Sequence, residues 1–158
     1  MSVVIQSSSE SPLNKTDVIG ILQRLDDFFY PPLSSRVDLD AYSEKLLSVA
    51  SIEYLLSENK EIAGLIAYYC NDTENKIAYI TYIGLLPEYL GKGIAGKLLD
   101  TCISRCMLRQ MCRIIVCADE MNEKVIGLYK SRGFKTSALL KDRWCQGLNS
   151  IKLLRDLI

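Results

Sequence analysis

Two stretches of the chain combine chemically useful residue types with spacing that would position them. The first is "PEYLGKGIAGKLLD" (87–100), where a turn carrying Gly91, Gly93 and Gly96 runs straight into an apolar-periodic segment. Backbone N–H groups at a helix start, with no Cβ to stand off a ligand, are suited to holding phosphate. That phosphate has two candidate owners. Gly91, Gly96 and Lys97 fit the G-x-x-x-x-G-K core of a nucleotide-binding loop, and "IIVCADE" (114–120) would pass for its acidic strand. Leu98, however, stands where that loop needs a Ser or Thr to ligate magnesium, and it belongs to the helix's apolar stripe. Alternatively, Gly93 and Ala95 fit a turn around the pyrophosphate of a larger coenzyme, with positive charge from Lys92 and Lys97. The second stretch is "NEKVIGLYKSRGF" (122–134), with Asn122 at a helix start and Tyr129 two turns on. A phenol is a proton donor at neutral pH.

What the chain lacks narrows the chemistry. It has no histidine, which excludes Ser-His-Asp and Cys-His nucleophilic machinery and the commonest neutral-pH base. The six cysteines (70, 102, 106, 112, 117 and 145) contain no C-x-x-C pair, so neither a zinc knuckle nor a redox pair is expected, and no metal. Several lie in apolar runs, where free Cys acts as a small buried hydrophobe, as suits a reducing cytoplasm. Lys plus Arg equals Asp plus Glu at 19 each, so no net field draws in nucleic acid or an anionic membrane. No apolar run approaches the ~18–20 residues that span a bilayer, and "MSVVIQSSSESP" lacks the basic and apolar regions of a secretory signal. A single cytoplasmic domain over residues 1–158 is expected.

The elements that must position these residues follow from periodicity. A short strand at 3–7 precedes "LNKTDVIGILQRLDDFF", capped at Asn14 or Thr16, with apolar residues at 18, 21, 22, 25, 28 and 29 in helical spacing. "YPPLSSR" stops that helix, and a second runs from Leu39 to Val49 behind Asp38. Strands at 51–57, 61–70 and 76–86 are joined by short polar turns, as antiparallel hairpins require. A helix at 94–108 buries residues 94, 95, 98, 99, 102, 103 and 106; a strand at 113–118 and a helix at 122–132, stopped by Gly133, come next. "FKTSALL" and "SIKLLRDL" are weaker strands. The order β-α-α-β-β-β-α-β-α-β-β predicts an α/β domain with a mixed sheet.

Taken together, "LLPEYLGKGIAGKLL" and "NEKVIGLYKSRGF" resemble the GNAT superfamily of acetyl-CoA-dependent N-acetyltransferases. That family carries a [QR]-x-x-G-x-[GA] turn after its fourth strand and an N-x-x-A-x-x-x-Y…GF segment downstream. Two positions depart from the pattern: Leu90 replaces Arg or Gln, and Val125 replaces Ala. The first removes a side-chain contact and leaves the backbone cradle; the second is a modest volume change. The resemblance implies a GNAT fold, with a mixed, mostly antiparallel central sheet splayed between strands 4 and 5. It also implies a coenzyme A pyrophosphate held by Leu90, Gly91, Lys92, Gly93, Ile94, Ala95 and Gly96. Pantetheine would run along Leu85 and Leu86, where the ladder parts, and meet Asn122, which also serves as a helix cap. Tyr129 would protonate the departing thiolate, and Phe134 would pack.

The implied reaction is direct attack of a primary amine on the acetyl thioester. An amine of pKa ~10.4 needs roughly 4–5 kcal/mol to become neutral at pH 7, and one near ~8 far less. Family members often carry a strand-four Glu as base. Here that strand offers Tyr79, Thr81 and Tyr82, with Glu53 and Glu120 elsewhere, so the acceptor is expected to have a lowered pKa, as an amino sugar or α-amine does. The family shapes its acceptor pocket from the segments here reading "FFYPPLSSR" and "KDRWCQG". Phe29, Tyr30, Arg36, Tyr79, Thr81, Arg143 and Trp144 are the candidates. The expected partner is a small-molecule amine, with a homodimer open; an acyl-CoA-binding regulatory domain and a protein or peptide N-acetyltransferase are the alternatives.

Overall fold

Local signals place each element close to where the sequence puts it. In the computed structural model, which describes residues 3–158 with Cys145 by its backbone alone, the chain opens with β1 (Val4–Ser7) and α1 (Lys15–Asp26). Met1 and Ser2 of the N-terminal segment lie outside the described residues. Asn14, not Thr16, caps α1: its side chain accepts from the Asp17 N–H, and the Asp17 carboxylate returns the bond to Asn14 N–H. The helix ends at Asp26, earlier than the apolar spacing predicts, and this frees Phe28, Phe29 and Tyr30 from helical directions. The helix α2 (Leu39–Val49) starts behind Asp38 as expected.

The strands β2 (Ser51–Leu56), β3 (Ile62–Tyr69) and β4 (Ile77–Leu85) form an antiparallel meander. Then come α3 (Ile94–Leu108), β5 (Arg113–Asp119), α4 (Glu123–Ser131), β6 (Lys135–Cys145) and β7 (Leu148–Asp156). The sheet order is β1-β2-β3-β4-β5-β7-β6, and β4–β5 is its parallel pair. Most of "KDRWCQG", expected as a hairpin loop, continues β6, with an irregular register between Leu140 and Cys145.

The two sheet faces are covered differently. On one, α3 buries Ile94, Leu98, Leu99, Cys102, Ile103 and Cys106, each apolar side chain contributing roughly 1.5–3 kcal/mol relative to exposure. On the other, α1 and the turn that follows it set Leu25 and Phe29 against Gly84 of β4. Cys70, Cys102 and Cys106 are buried free thiols, as their apolar surroundings predict. None of the described helices is long and apolar enough to cross a membrane.

Candidate active site

The glycine turn has the backbone shape its sequence demands. Gly91 and Gly93 take φ of +73° and +76°, a left-handed conformation that a Cβ disfavours. Gly93 is the N-cap of α3 and offers no side chain to it. The N–H groups of Gly93, Ile94, Ala95 and Gly96 therefore meet no acceptor among the described residues, and the positive end of the α3 dipole points the same way. Leu90, at the head of the turn, is 57% exposed, its side chain has no polar atom, and its N–H already donates to Pro87 O at 3.2 Å. Gly96 has a second reason to be glycine: the Arg132 guanidinium lies where its Cβ would stand. Arg132 Nε in turn bonds Asp100 Oδ1 at 3.1 Å and ties the end of α4 to α3.

The parallel pair β4–β5 parts beside this turn. Pairing runs from Ile77–Arg113 to Ile80–Val116 and stops there, while β4 stays paired with β3 as far as Leu85. The parting begins at Ile80, five positions before Leu85, where the sequence places it. Thr81 is the cause. It is an extra residue on β4 between the pairs Tyr68–Ile80 and Ala67–Tyr82, and such a bulge bends its strand away from a neighbour. Leu86 N–H donates to Ala63 O of β3 at 2.9 Å, so this donor is already used within the sheet.

Across the fork stands α4. Asn122 Oδ1 accepts from Val125 N–H at 3.2 Å, so its capping role is realised. Tyr129 is 2% exposed, and its ring packs 5.4 Å from Phe134 in a tilted arrangement. Burial first, then the Cys102 and Tyr79 groups, push its phenol well above the ordinary tyrosine range. It is a hydroxyl donor at any physiological pH.

The α1–α2 side of β4 collects most of the expected acceptor residues. Phe29 packs 5.3 Å from Tyr82. Arg36 lies 4.5 Å over the Trp144 ring, and Arg143 is near enough to the Tyr79 phenol to favour its ionised form. Thr81 Oγ1 shares a 2.6 Å hydrogen bond with Tyr42 OH, whose pKa burial pushes up to about 12. Tyr30 is the exception. It is 79% exposed because the early end of α1 turns Phe29 inward and its neighbours out. Tyr42 was missed by sequence reasoning, although residues 39, 42, 43 and 46 of α2 share a helical face that would have found it. Tyr82 OH is buried without a hydrogen-bond partner among the described residues.

The two carboxylates set aside as bases elsewhere are both engaged. Glu53 is 1% exposed on β2, with Arg105 Nε of α3 at 3.3 Å, on the sheet face opposite the acceptor residues. Glu120 accepts from Asn149 Nδ2 at 3.0 Å. Two cavities of about 310 and 300 Å³ lie at other edges of the sheet, around Cys112 and Asp156 and around Glu53 and Arg105. The candidate site is thus an open fork, with a donor turn on one side and an aromatic, cationic face on the other.

This arrangement has counterparts. Residues 19–134 match the family described as "Acetyltransferase (GNAT) family". A 97-residue segment is 28% identical to the histone acetyltransferase MCC1 of Arabidopsis thaliana, covering 61% of this chain and only 39% of that protein. Among solved structures, an acetyltransferase of the GNAT family from Desulfovibrio desulfuricans superposes with a TM-score of 0.79 at 14% identity, covering 99% of this chain and 100% of the other. The ribosomal-protein-S18-alanine N-acetyltransferase of Escherichia coli gives 0.79 at 17% identity, covering 99% and 94%. At such identities these structures speak for the fold alone.

Proposed function

The chain belongs to the acetyltransferase (GNAT) family, and we propose that it moves the acetyl group of acetyl-CoA to the primary amine of a small molecule. The observation that carries this reading is the fork. Beyond Ile80 and Val116 the parallel strands part, with four N–H groups of the α3 turn that meet no acceptor among the described residues and, on α4, the hydroxyl of the buried Tyr129. Coenzyme A supplies the activated thioester. The turn over residues 90–96 binds its pyrophosphate through backbone N–H groups, which charge-assisted hydrogen bonds and the helix dipole favour. Pantetheine lies along β4 toward Asn122.

The neutral amine attacks the thioester carbonyl, the C–S bond breaks, Tyr129 gives its phenolic proton to the leaving thiolate, and the proton shed by the acylated nitrogen passes through water to restore the phenol. The raised pKa keeps the phenol protonated and donating a hydrogen bond as the thiolate forms. The site presents no carboxylate base on β4, so the amine must arrive neutral or lose its proton to water. This favours acceptors of lowered pKa, such as amino sugars and α-amines, over lysine-like amines. The E. coli relative's named alanine acceptor makes a protein α-amine the second reading.

A thermal-shift panel with CoA, acetyl-CoA and Mg-ATP, followed by an amine screen read by free-thiol release, tests the proposal. A ligand at 100 times its Kd adds about 2.7 kcal/mol, easily resolved. Stabilisation by CoA and acetyl-CoA is expected. A response to Mg-ATP and none to CoA would overturn it.

A further inference from the structure

The acceptor side of β4 has an uneven charge. Arg143 stands close enough to Arg36 to disfavour its charge, and Lys45 adds a third cation over the Tyr69 ring at 5.1 Å. The groups whose charge acts on Arg36 are Tyr42, Tyr79, Tyr82 and Arg143, with no carboxylate among them. Among the described residues neither Arg36 nor Arg143 is in an ion pair. The carboxylate whose field reaches this face is Asp26, through Tyr82, and it already accepts from the N–H and hydroxyl of Ser34.

The arrangement leaves positive charge without a counter-charge. Arg36 stacks on Trp144, and Arg143 lies by Tyr79, beside a buried Tyr82 hydroxyl that has no hydrogen-bond partner among the described residues. An anion with two or more acceptor oxygens would answer both guanidinium groups, because Arg presents paired donors in a fixed fork. We infer that the acceptor amine carries an anionic group, a carboxylate or a phosphate, which Arg36 and Arg143 seat beside Trp144.

The inference rests on the acetyl-transfer reading above and gives it a substrate class. It also explains how a site without a carboxylate base handles its nucleophile. The same positive field that holds the anion disfavours the ammonium form of a nearby amine and so favours the neutral nucleophile. Polycationic amines are repelled.

Matched pairs test this: glucosamine 6-phosphate against glucosamine, and alanine against alaninamide. Calorimetric binding to the protein, with and without saturating CoA, reads recognition independently of turnover, and thiol release reads catalysis. The anionic member of at least one pair should bind about tenfold tighter, as charge-assisted hydrogen bonds allow. Which pair responds distinguishes phosphate from carboxylate. Arg143→Glu and the Arg36→Ala/Arg143→Ala double variant should lose that preference, while Arg143→Lys keeps part of it. Both side chains are exposed, and melting temperature monitors the fold. Equal binding within both pairs, no binding by either anionic member, or a preference that survives the double variant overturns the inference. So does a loss of CoA affinity in place of acceptor affinity. Failure of the acetyl-transfer reading looks different: no CoA binding and no thiol release with any amine.

Discussion

Tyr129 is held by two things that pull in the same direction. Its ring is core, packed on Phe134, and the burial that makes it core keeps its hydroxyl protonated. Removing only the oxygen separates the roles. Tyr129→Phe should leave melting temperature and the KM for acetyl-CoA nearly unchanged and lower kcat about a hundredfold, the low end of general-acid contributions. Steady-state thiol release decides, and an undiminished kcat removes the acid role. The raised pKa has its own signature. Activity should climb with pH as the amine deprotonates, and show no falling limb until pH exceeds the ordinary tyrosine value of 10.0.

At the scale of elements, the fork and the start of α4 carry the cofactor reading. Asn122 has a capping bond to Val125 N–H, and the proposal gives it a second task at pantetheine. Aspartate caps as well as asparagine, whereas alanine loses about 1 kcal/mol. Asn122→Asp should therefore preserve stability to urea while raising the KM for acetyl-CoA several-fold, because it trades amide donors for a negative charge. Asn122→Ala should lose both. An unaltered KM in the aspartate variant would confine Asn122 to capping. The Arg132–Asp100 bond matters here too, since it fixes the end of α4 to the helix whose N-terminus holds the turn.

Over the whole molecule, the absence of histidine moves pH sensitivity to the alkaline side. Tyr68, Tyr82 and Tyr129 are buried, and desolvation raises all three phenols above 10.0. Below that value both folded and unfolded chains keep these protons, so the native state bears no penalty. Above it the unfolded chain ionises first and stability falls, at about 1.4 kcal/mol per pH unit for each such tyrosine. Urea unfolding should show a first loss above about pH 9, where the unfolded chain ionises Cys70 and Cys106, whose thiols are raised in the fold by hydrogen bonding to a neighbouring thiol and by burial, and a steeper loss beyond about pH 10. Tyrosinate absorbance should appear together with unfolding; gradual ionisation of the native protein would contradict the burial argument.

Element order, the Asn14, Asp38 and Asn122 caps, the buried stripe of α3 and the glycine turn were all readable from the residues alone. Each rests on interactions between residues a few positions apart, or on a φ that only glycine takes easily. The link between the turn and the Asn122–Tyr129 segment came from the resemblance to a family, and the match over residues 19–134 bears out that family. Three things needed the fold. The end of α1 at Asp26 decides that Phe29 faces Tyr82 and Tyr30 faces water, against the apolar spacing. The fork opens at Ile80 because a bulge at Thr81 changes the β3–β4 register, a contest between two neighbouring ladders that no local signal records. The cationic face joins Arg36, Tyr79 and Arg143, and only a sheet that sets β4 beside β5, β5 beside β7 and β7 beside β6 brings them together. Local physics names the elements and the glycine turn; long-range register decides which charges share a face.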